Sequence, residues 1–208
     1  LAYFISSWIT ESRIVMSAML VLFMMLGLAT VGFIDDFIKT HKRRSLGLEG
    51  WPKVFGQVIV AIIFALVAIN FPDANGVTPA TTNISVIRDT NINFMNAGAV
   101  LGLILFLLWI VLIVTSTSNA VNLTDGLAGL ATGASIFVVG SFVLMNFWQQ
   151  NQSCSKITLD PAVASKCYDV RDPLDLAIVA AALVGGLIGF LWWNTSPAQI
   201  FLGDTGSM

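Results

Sequence analysis

Residues 97–117 read AGAVLGLILFLLWIVLIVTST, and none of these 21 residues is Asp, Glu, Lys or Arg. About 20 apolar residues are enough for a helix to cross the hydrocarbon core of a bilayer. Four other runs of 18 to 21 residues also lack charge: 14–34, 54–71, 128–148 and 176–193. One such run would fit a buried helix of a soluble protein, but five runs in 208 residues do not. The sequence therefore predicts an all-α polytopic membrane protein with five complete transmembrane helices.

The composition agrees with this class. Charged residues make up 11% of the chain, whereas soluble domains carry about 25%. A net charge of −2 gives no reason to expect a nucleic-acid partner. The chain begins at Leu1, and residues 1–5 resemble the end of an earlier span. We therefore interpret residues 1–208 as a single transmembrane domain that is incomplete at both ends.

The order of the spans predicts which loops share a membrane face, because the chain reverses direction at each crossing. Segments 35–53, 118–127 and 194–208 then lie on one side, and segments 6–13, 72–96 and 149–175 lie on the other. This parity brings four aspartates to the first side: Asp35, Asp36, Asp125 and Asp204.

The distribution of basic residues predicts the orientation. Each side carries five Lys or Arg residues, but on the side of the aspartates all five lie in one loop: Lys39, Lys42, Arg43, Arg44 and Lys53. Because Lys and Arg concentrate in short cytoplasmic loops, we expect this side to face the cytoplasm. Cys154 and Cys167 then lie outside, where they would pair in an oxidising compartment. Two free thiols fit their spacing nearly as well.

The outer loops look structural. Segments 81–87 and 91–94 are rich in Thr, Ile and Val and predict a small outer-face β-hairpin. Asp160 and Pro161 resemble the start of a helix, so residues 161–166 predict a short outer-face helix. Glycines four apart, such as Gly185 and Gly189, are typical of closely packed transmembrane helices and permit a homodimer.

Three polar stretches lie at the ends of the spans, on the side of the aspartates. They read GFIDDFIK at 32–39, SNAVNLTDGLAGL at 118–130 and NTSPAQIFLGDTGS at 194–207. In a helix, Asn119, Asn122 and Asp125 would point to one side, because they are three residues apart. Each stretch also has a structural interpretation. The first would be a solvated helix end, the second a loop in which Thr124 or Asp125 caps the next helix, and the third a polar turn.

Gathered carboxylates beside lysines indicate magnesium and phosphate chemistry. Magnesium is typically held by one or two carboxylates, with phosphate oxygens and water completing its coordination. Lysines balance the remaining phosphate charge. The sequence gives no indication of zinc, because its single His, His41, has no second His or nearby Cys.

Together, GFIDD, NAVNLTDGL and FLGDTGS resemble the motifs of the polyprenyl-phosphate N-acetylhexosamine-1-phosphate transferases. The wording NLTDG is most similar to the bacterial phospho-N-acetylmuramoyl-pentapeptide transferases within that family. The resemblance covers essentially the whole chain. It implies a Mg²⁺-dependent enzyme that transfers phospho-MurNAc-pentapeptide from UDP-MurNAc-pentapeptide to undecaprenyl phosphate. UMP would be released and lipid I formed for peptidoglycan synthesis.

The resemblance also implies roles for individual residues. The implied catalytic residues are Asp35, Asp36 and Asp125, and the implied metal ligand is Asp204. The implied substrate-binding residues are Lys39, Lys53, Asn119, Asn122 and Asn194. The family's site is completed by a His-rich loop that these 208 residues do not contain. We therefore expect this stretch by itself to be inactive.

Two other functions remain open at this stage. Within the same family, the donor would be UDP-GlcNAc and the product a precursor of another surface glycan. In a different class, the intramembrane acids would couple ion movement in a transporter. The sequence shows no internal repeat of the kind that transporters often carry.

The reaction also has two candidate mechanisms. In one, Asp35 or Asp36 forms a covalent phospho-aspartate, and in the other the lipid phosphate attacks directly. A phosphate monoester carries about −1.5 to −2 charges at pH 7 and needs little help from a base. Because phosphoryl transfer depends mostly on positioning and charge neutralisation, direct attack is favoured.

Overall fold

The computed structural model describes residues 1–42, 50–73, 76–85, 88–154 and 167–208. Within these residues, five helices are long and apolar enough to cross a membrane. They are α2 (Met16–Lys42), α3 (Gly50–Asn70), α4 (Ala99–Thr124), α5 (Leu130–Gln152) and α6 (Pro173–Asn194). Two short helices are α1 (Ala2–Ile9) and α7 (Gly203–Ser207). The predicted fold class, an all-α polytopic membrane protein with five spans, is confirmed.

The helices differ from the uncharged runs mainly in where they end. Helix α2 continues beyond residue 34 through both aspartates of the first stretch, and α4 continues beyond residue 117 to Thr124. A charged residue ends an apolar run but not a helix, because the backbone hydrogen bonds continue while the charged group finds a partner. The site residues on α2 and α4 therefore lie on rigid helical turns.

The predicted hairpin is present and small. Strand β1 (Asn83–Ser85) pairs antiparallel with β2 (Asp89–Asn93), so β2 begins two residues earlier than predicted. A 3₁₀ helix, Phe94–Ala97, follows and packs on the start of α4. A side chain at Gly102 would overlap the backbone of Phe94, so this glycine serves that contact. The predicted short helix at 161–166 lies outside the described residues.

The spans pack in an antiparallel order. Helix α2 packs on α3, α3 on α4, and α5 on α6, while α7 lies against α2 and α4. Close approach of α2 and α3 occurs where Gly27 faces Val60 and Gly56 faces Val31. A side chain at Gly185 or Gly189 would meet no described atom within 4 Å. This pair therefore does not serve packing among the described helices, contrary to the prediction.

The end of the bundle that carries the hairpin is tied together by side chains. The guanidinium of Arg88 lies 5.4 Å from the ring centre of Tyr168 and 5.8 Å from that of Trp148, so it joins the hairpin to α5 by cation–π contacts. Cys154 and Cys167 form a disulfide with a Cα–Cα distance of 4.9 Å. The pairing left open by their spacing is thus present.

Candidate active site

The last turns of α2 supply two aspartates and a lysine. The side chain of Asp35 is buried, with 2% of the residue exposed. The Lys39 ammonium lies one turn further on, 2.6 Å from Asp35 Oδ2 and 3.9 Å from Asp36 Oδ1. Residues three and four apart are neighbours on a helix surface, so this part of the site follows from the local sequence.

Asp204 on α7 accepts hydrogen bonds from side chains of three other helices, α2, α3 and α4. Its Oδ2 accepts a hydrogen bond from Lys39 on α2, and its Oδ1 accepts one from Lys53 on α3 at 3.1 Å. Asn122 on α4 also donates to Oδ1, and the same amide group donates to Ser207 Oγ at 2.8 Å. Side chains from three spans, each more than 80 positions before Asp204 in the chain, therefore contact this one carboxylate.

The electrostatics of this carboxylate follow from its partners. Burial raises the pKa of Asp204, but hydrogen bonds with Asp35, Lys39, Asn122 and Lys53 lower the pKa, and the balance lies below the ordinary value. Asp204 is thus held as an anion. The pKa of Asp125 is raised, first by burial and then by the nearby charge of Asp204, although the Gly203 amide opposes this.

Two further aspartates hold the backbone of α7. Asp125 Oδ2 accepts a hydrogen bond from the Gly203 N–H at 3.1 Å, and Asp36 Oδ2 accepts one from the Thr205 N–H at 2.9 Å. These are amide groups of the first turn of a helix, which have no partner within the helix itself. Asp36 and Asp125 therefore fix the position of Asp204 by binding its chain neighbours.

A glycine on α2 makes the contact with α7 close enough. A Cβ atom at Gly32 would overlap the backbone carbonyl of Asp204, so no larger residue fits without moving α7. Gly203 also has a positive φ of 65°, which favours glycine. These two glycines lie in the first and third polar stretches, so packing and backbone geometry account for part of both stretches.

Three carboxylates of this site are close enough to share a cation. One oxygen each from Asp35, Asp36 and Asp204 lies within 4.8 Å of the others. This set offers only oxygen ligands, which magnesium prefers. The lysines that contact Asp204 would have to yield to an ion, and the phosphates of a substrate would give them new anionic partners.

The remaining predicted site residues serve other contacts. Asn119 donates to Gln57 Oε1 at 3.1 Å and to the Thr115 carbonyl at 2.7 Å, so it faces α3 rather than Asp204. Asn194 is buried, with 1% exposed, and its Oδ1 accepts from the Gly129 N–H at 3.0 Å and from Thr132 at 2.9 Å. Its amide group holds the third stretch by donating to the Ile200 carbonyl at 3.0 Å.

The capping interpretation of the second stretch is wrong. Asp125 is the residue that ends α4, and α5 begins only after Gly129. His41 stacks on Phe37, with ring centres 5.6 Å apart, and it is not among the described residues that contact Asp204. Helix α4 instead continues past Asn122 to Thr124, and the Asn122 amide donates to Asp204 and Ser207 on α7.

Three residues of this region were not predicted from the sequence: Gln57, Thr205 and Ser207. Thr205 and Ser207 lie inside the third stretch but have ordinary polar side chains there. The sequence did indicate a role for Gln57, because it is the only polar side chain between residues 54 and 69 of an apolar span. A polar side chain in a membrane helix usually bonds across to another helix, and Gln57 does so with Ser118 and Asn119.

The chain is similar in sequence to known proteins over most of its length. The family model described as glycosyl transferase family 4 matches residues 18–208. A phospho-N-acetylmuramoyl-pentapeptide-transferase of Clavibacter sepedonicus is 60% identical over 193 residues, covering 92% of this chain and 52% of the relative. A phospho-N-acetylmuramoyl-pentapeptide-transferase of Renibacterium salmoninarum is 54% identical over 212 residues, covering 100% of this chain and 57% of the relative. The chain spans about half the length of the curated relatives it matches. With the family's match extending over most of its residues, including all three polar stretches, the chain belongs to glycosyl transferase family 4.

Proposed function

We propose that this protein transfers phospho-MurNAc-pentapeptide from UDP-MurNAc-pentapeptide to undecaprenyl phosphate, with release of UMP and formation of lipid I. The family membership and the names of the similar proteins support this reaction class. The observation that carries it is the convergence of Asp35, Lys39, Lys53 and Asn122 on Asp204. An anionic cluster lined with two ammonium groups suits a pair of phosphates brought together at a membrane face.

In the proposed reaction, an oxygen of the lipid phosphate attacks the phosphorus that bears the sugar. The bond from that phosphorus to the UMP oxygen breaks, and UMP carries the electron pair away. Lys39 and Lys53 bind phosphate oxygens and balance their charge, while Asn122 keeps Asp204 oriented. Positioning and charge neutralisation of this kind account for most catalysis of phosphoryl transfer.

The contacts of the two aspartates on α2 support direct attack. Asp36 Oδ2 accepts two hydrogen bonds from Thr205, and Asp35 Oδ2 is paired with Lys39. A carboxylate oxygen engaged in this way is a weak nucleophile, because its lone pairs are already shared. We therefore assign Asp35 and Asp36 to positioning the lipid phosphate, with Asp125 supporting α7, rather than to a covalent phospho-aspartate.

We propose magnesium as the cofactor, with Asp204 as its principal ligand and Asp35 and Asp36 beside it. When bound, the ion would neutralise charge on the donor's pyrophosphate. The cluster of three carboxylate oxygens within 4.8 Å supports this assignment. Binding of the ion would release Lys39 and Lys53 from Asp204 for the substrate phosphates.

We propose that the site faces the cytoplasm, where a nucleotide-linked donor is available. The five Lys and Arg residues between positions 39 and 53 support this orientation, because Lys and Arg prefer the cytoplasmic side. The site lies at the ends of the spans, as a soluble donor and a membrane-bound acceptor require. Undecaprenyl phosphate would approach from the bilayer and the donor from water.

A transfer assay tests the proposed function. The native protein, purified with its membrane lipids, would be given undecaprenyl phosphate and Mg²⁺ together with UDP-MurNAc-pentapeptide or UDP-GlcNAc. We expect UMP and a lipid-linked product to form in equal amounts with the first donor only. Transfer from UDP-GlcNAc alone would assign the protein to another surface glycan, and UMP release without a lipid product would reject both assignments.

A further inference from the structure

Gln57 is a buried polar side chain in the first turns of α3, where this helix packs on α4. None of its surface is exposed, although the flanking residues of α3 are apolar. Both ends of its carboxamide are used, since Nε2 donates to Ser118 Oγ at 3.0 Å and Oε1 accepts from Asn119 at 3.1 Å. The proposed reaction assigns no role to this three-residue polar network.

The network lies one helical turn away from two groups of the candidate active site. Gln57 follows Lys53 by four residues on α3, and Ser118 precedes Asn122 by four residues on α4. Residues four apart lie one above the other on a helix. Lys53 and Asn122 in turn contact the same oxygen, Oδ1 of Asp204. Helices α3 and α4 are thus connected at two points, through the Gln57 carboxamide and through the Asp204 carboxylate.

The carboxamide can fix an alignment that apolar packing would leave loose. The other buried residues of α3 are Ala61, Ala65 and Ala68, and small smooth side chains tolerate sliding and rotation of a neighbouring helix. Hydrogen bonds are directional, and a pair of them to consecutive residues of α4 allows little rotation or sliding. In an apolar environment, breaking them leaves unsatisfied polar groups.

We propose that Gln57 is a positioning residue that sets the alignment of α3 and α4, so that Lys53 and Asn122 reach Asp204 together. This inference rests on the proposed function for its effect on phosphosugar transfer. Asn119 belongs to the same network and acts through it, not through contact with substrate. The arrangement explains why a single Gln lies in an otherwise apolar stretch of α3.

The test compares three variants of the native protein. Gln57→Leu removes both hydrogen bonds at similar volume. Gln57→Glu restores the network when the acid is protonated, because that form has one donor and one acceptor. Gln149→Leu is the matched control, since Gln149 is also buried but lies on α5 at the opposite end of the bundle. Each variant is normalised to folded protein in the membrane before any comparison.

Two readouts are measured on each variant. We expect Gln57→Leu to lower kcat on the order of 10- to 100-fold with a much smaller change in KM for the donor, and we expect Gln57→Glu to recover most of the loss. Independently of activity, acetylation of Lys53 by acetic anhydride, followed by mass spectrometry, should become several-fold faster in Gln57→Leu. Gln149→Leu should change neither quantity.

A second step separates positioning from general stability. In a Lys53→Met background, Gln57→Leu should cost little further activity, because residues that act through one another are not additive. Full additivity would overturn the inference, as would unchanged Lys53 acetylation or unchanged kcat in Gln57→Leu. Faster acetylation in a protein that transfers no phosphosugar would instead uphold the alignment role and reject the proposed function.

Discussion

Asp36 and Thr205 lie 169 positions apart in the chain, yet one oxygen of the Asp36 carboxylate accepts both the backbone N–H and the hydroxyl of Thr205, at 2.9 and 2.7 Å. These two hydrogen bonds between α7 and α2 place the neighbouring Asp204 against Lys39. The acid of the first polar stretch therefore acts on the third stretch through its backbone. Both stretches are needed for one anionic site.

The hydroxyl part of this contact can be removed separately. Thr205→Val keeps the size and β-branching of the side chain and leaves the backbone hydrogen bond in place. A hydrogen bond to a charged group contributes about 1.5–3 kcal/mol, so we expect transfer activity to fall roughly tenfold. The control is Thr30→Val, because the Thr30 hydroxyl donates to the Leu26 carbonyl of its own helix. Equal activity of the two variants would contradict the role of Asp36 in holding α7.

Asp204→Asn tests the central carboxylate. The variant keeps the shape of the side chain but removes the charge that Lys39 and Lys53 share and that a metal would bind. We expect kcat to fall by roughly two to three orders of magnitude while the protein still inserts into the membrane. Asp89→Asn, an exposed substitution in the hairpin, serves as the control for the chemical change itself. Near-native turnover of Asp204→Asn at ordinary magnesium concentrations would reject the metal assignment.

Gly32→Ala tests the close approach of α2 and α7. The added Cβ would overlap the Asp204 carbonyl, and relief of such a clash typically costs about 1–3 kcal/mol. We expect a lower Tm and an activity loss of about tenfold or more, because α7 must shift away from Lys39. Gly133→Ala on α5 is the control, since a Cβ there meets no described atom within 4 Å. In the control we expect a change between neutral and about 1 kcal/mol of stabilisation.

The disulfide provides a test of orientation. Cys154 and Cys167 are the only cysteines of the sequence, so labelling by a membrane-impermeant maleimide can be assigned without ambiguity. After mild reduction of intact cells, we expect both cysteines to be labelled, because the proposed orientation places them outside. In unreduced cells, an added thiol at the exposed Thr195 (Thr195→Cys) should react only after permeabilisation. The reverse pattern would place the aspartates on the outer face.

The disulfide also has a predicted effect on stability. It closes a loop with a sequence separation of 13 residues, and loops of that size are worth about 3 kcal/mol in the chain-entropy model. The double variant Cys154→Ser with Cys167→Ser should therefore lower the Tm, with little effect on transfer activity. A strong loss of kcat in folded protein would contradict the separation of the disulfide from the site, which lies at the other end of the spans.

The sequence by itself determined the architecture and the face on which the acids meet. Five uncharged runs of membrane-spanning length require five crossings, and the alternation of chain direction then places Asp35, Asp125 and Asp204 at one end. This inference needs no side-chain detail, because bilayer thickness and the backbone's need for internal hydrogen bonds leave helices as the only solution for such runs. The contact of Lys39 with Asp35 was also predictable from the sequence, because residues four apart are neighbours on a helix.

Only the tertiary structure decided which polar group contacts which. Asn119 and Asn122 are alike in type and lie on nearly the same side of α4, yet one contacts Gln57 and the other contacts Asp204. Helical periodicity gives the angles between side chains but not the rotation of the whole helix about its axis. That rotation depends on how neighbouring helices pack, which involves residues up to 169 positions apart. For the same reason, the use of Asn194 to join two polar stretches, and of Asp36 to hold α7, became visible only in the folded chain.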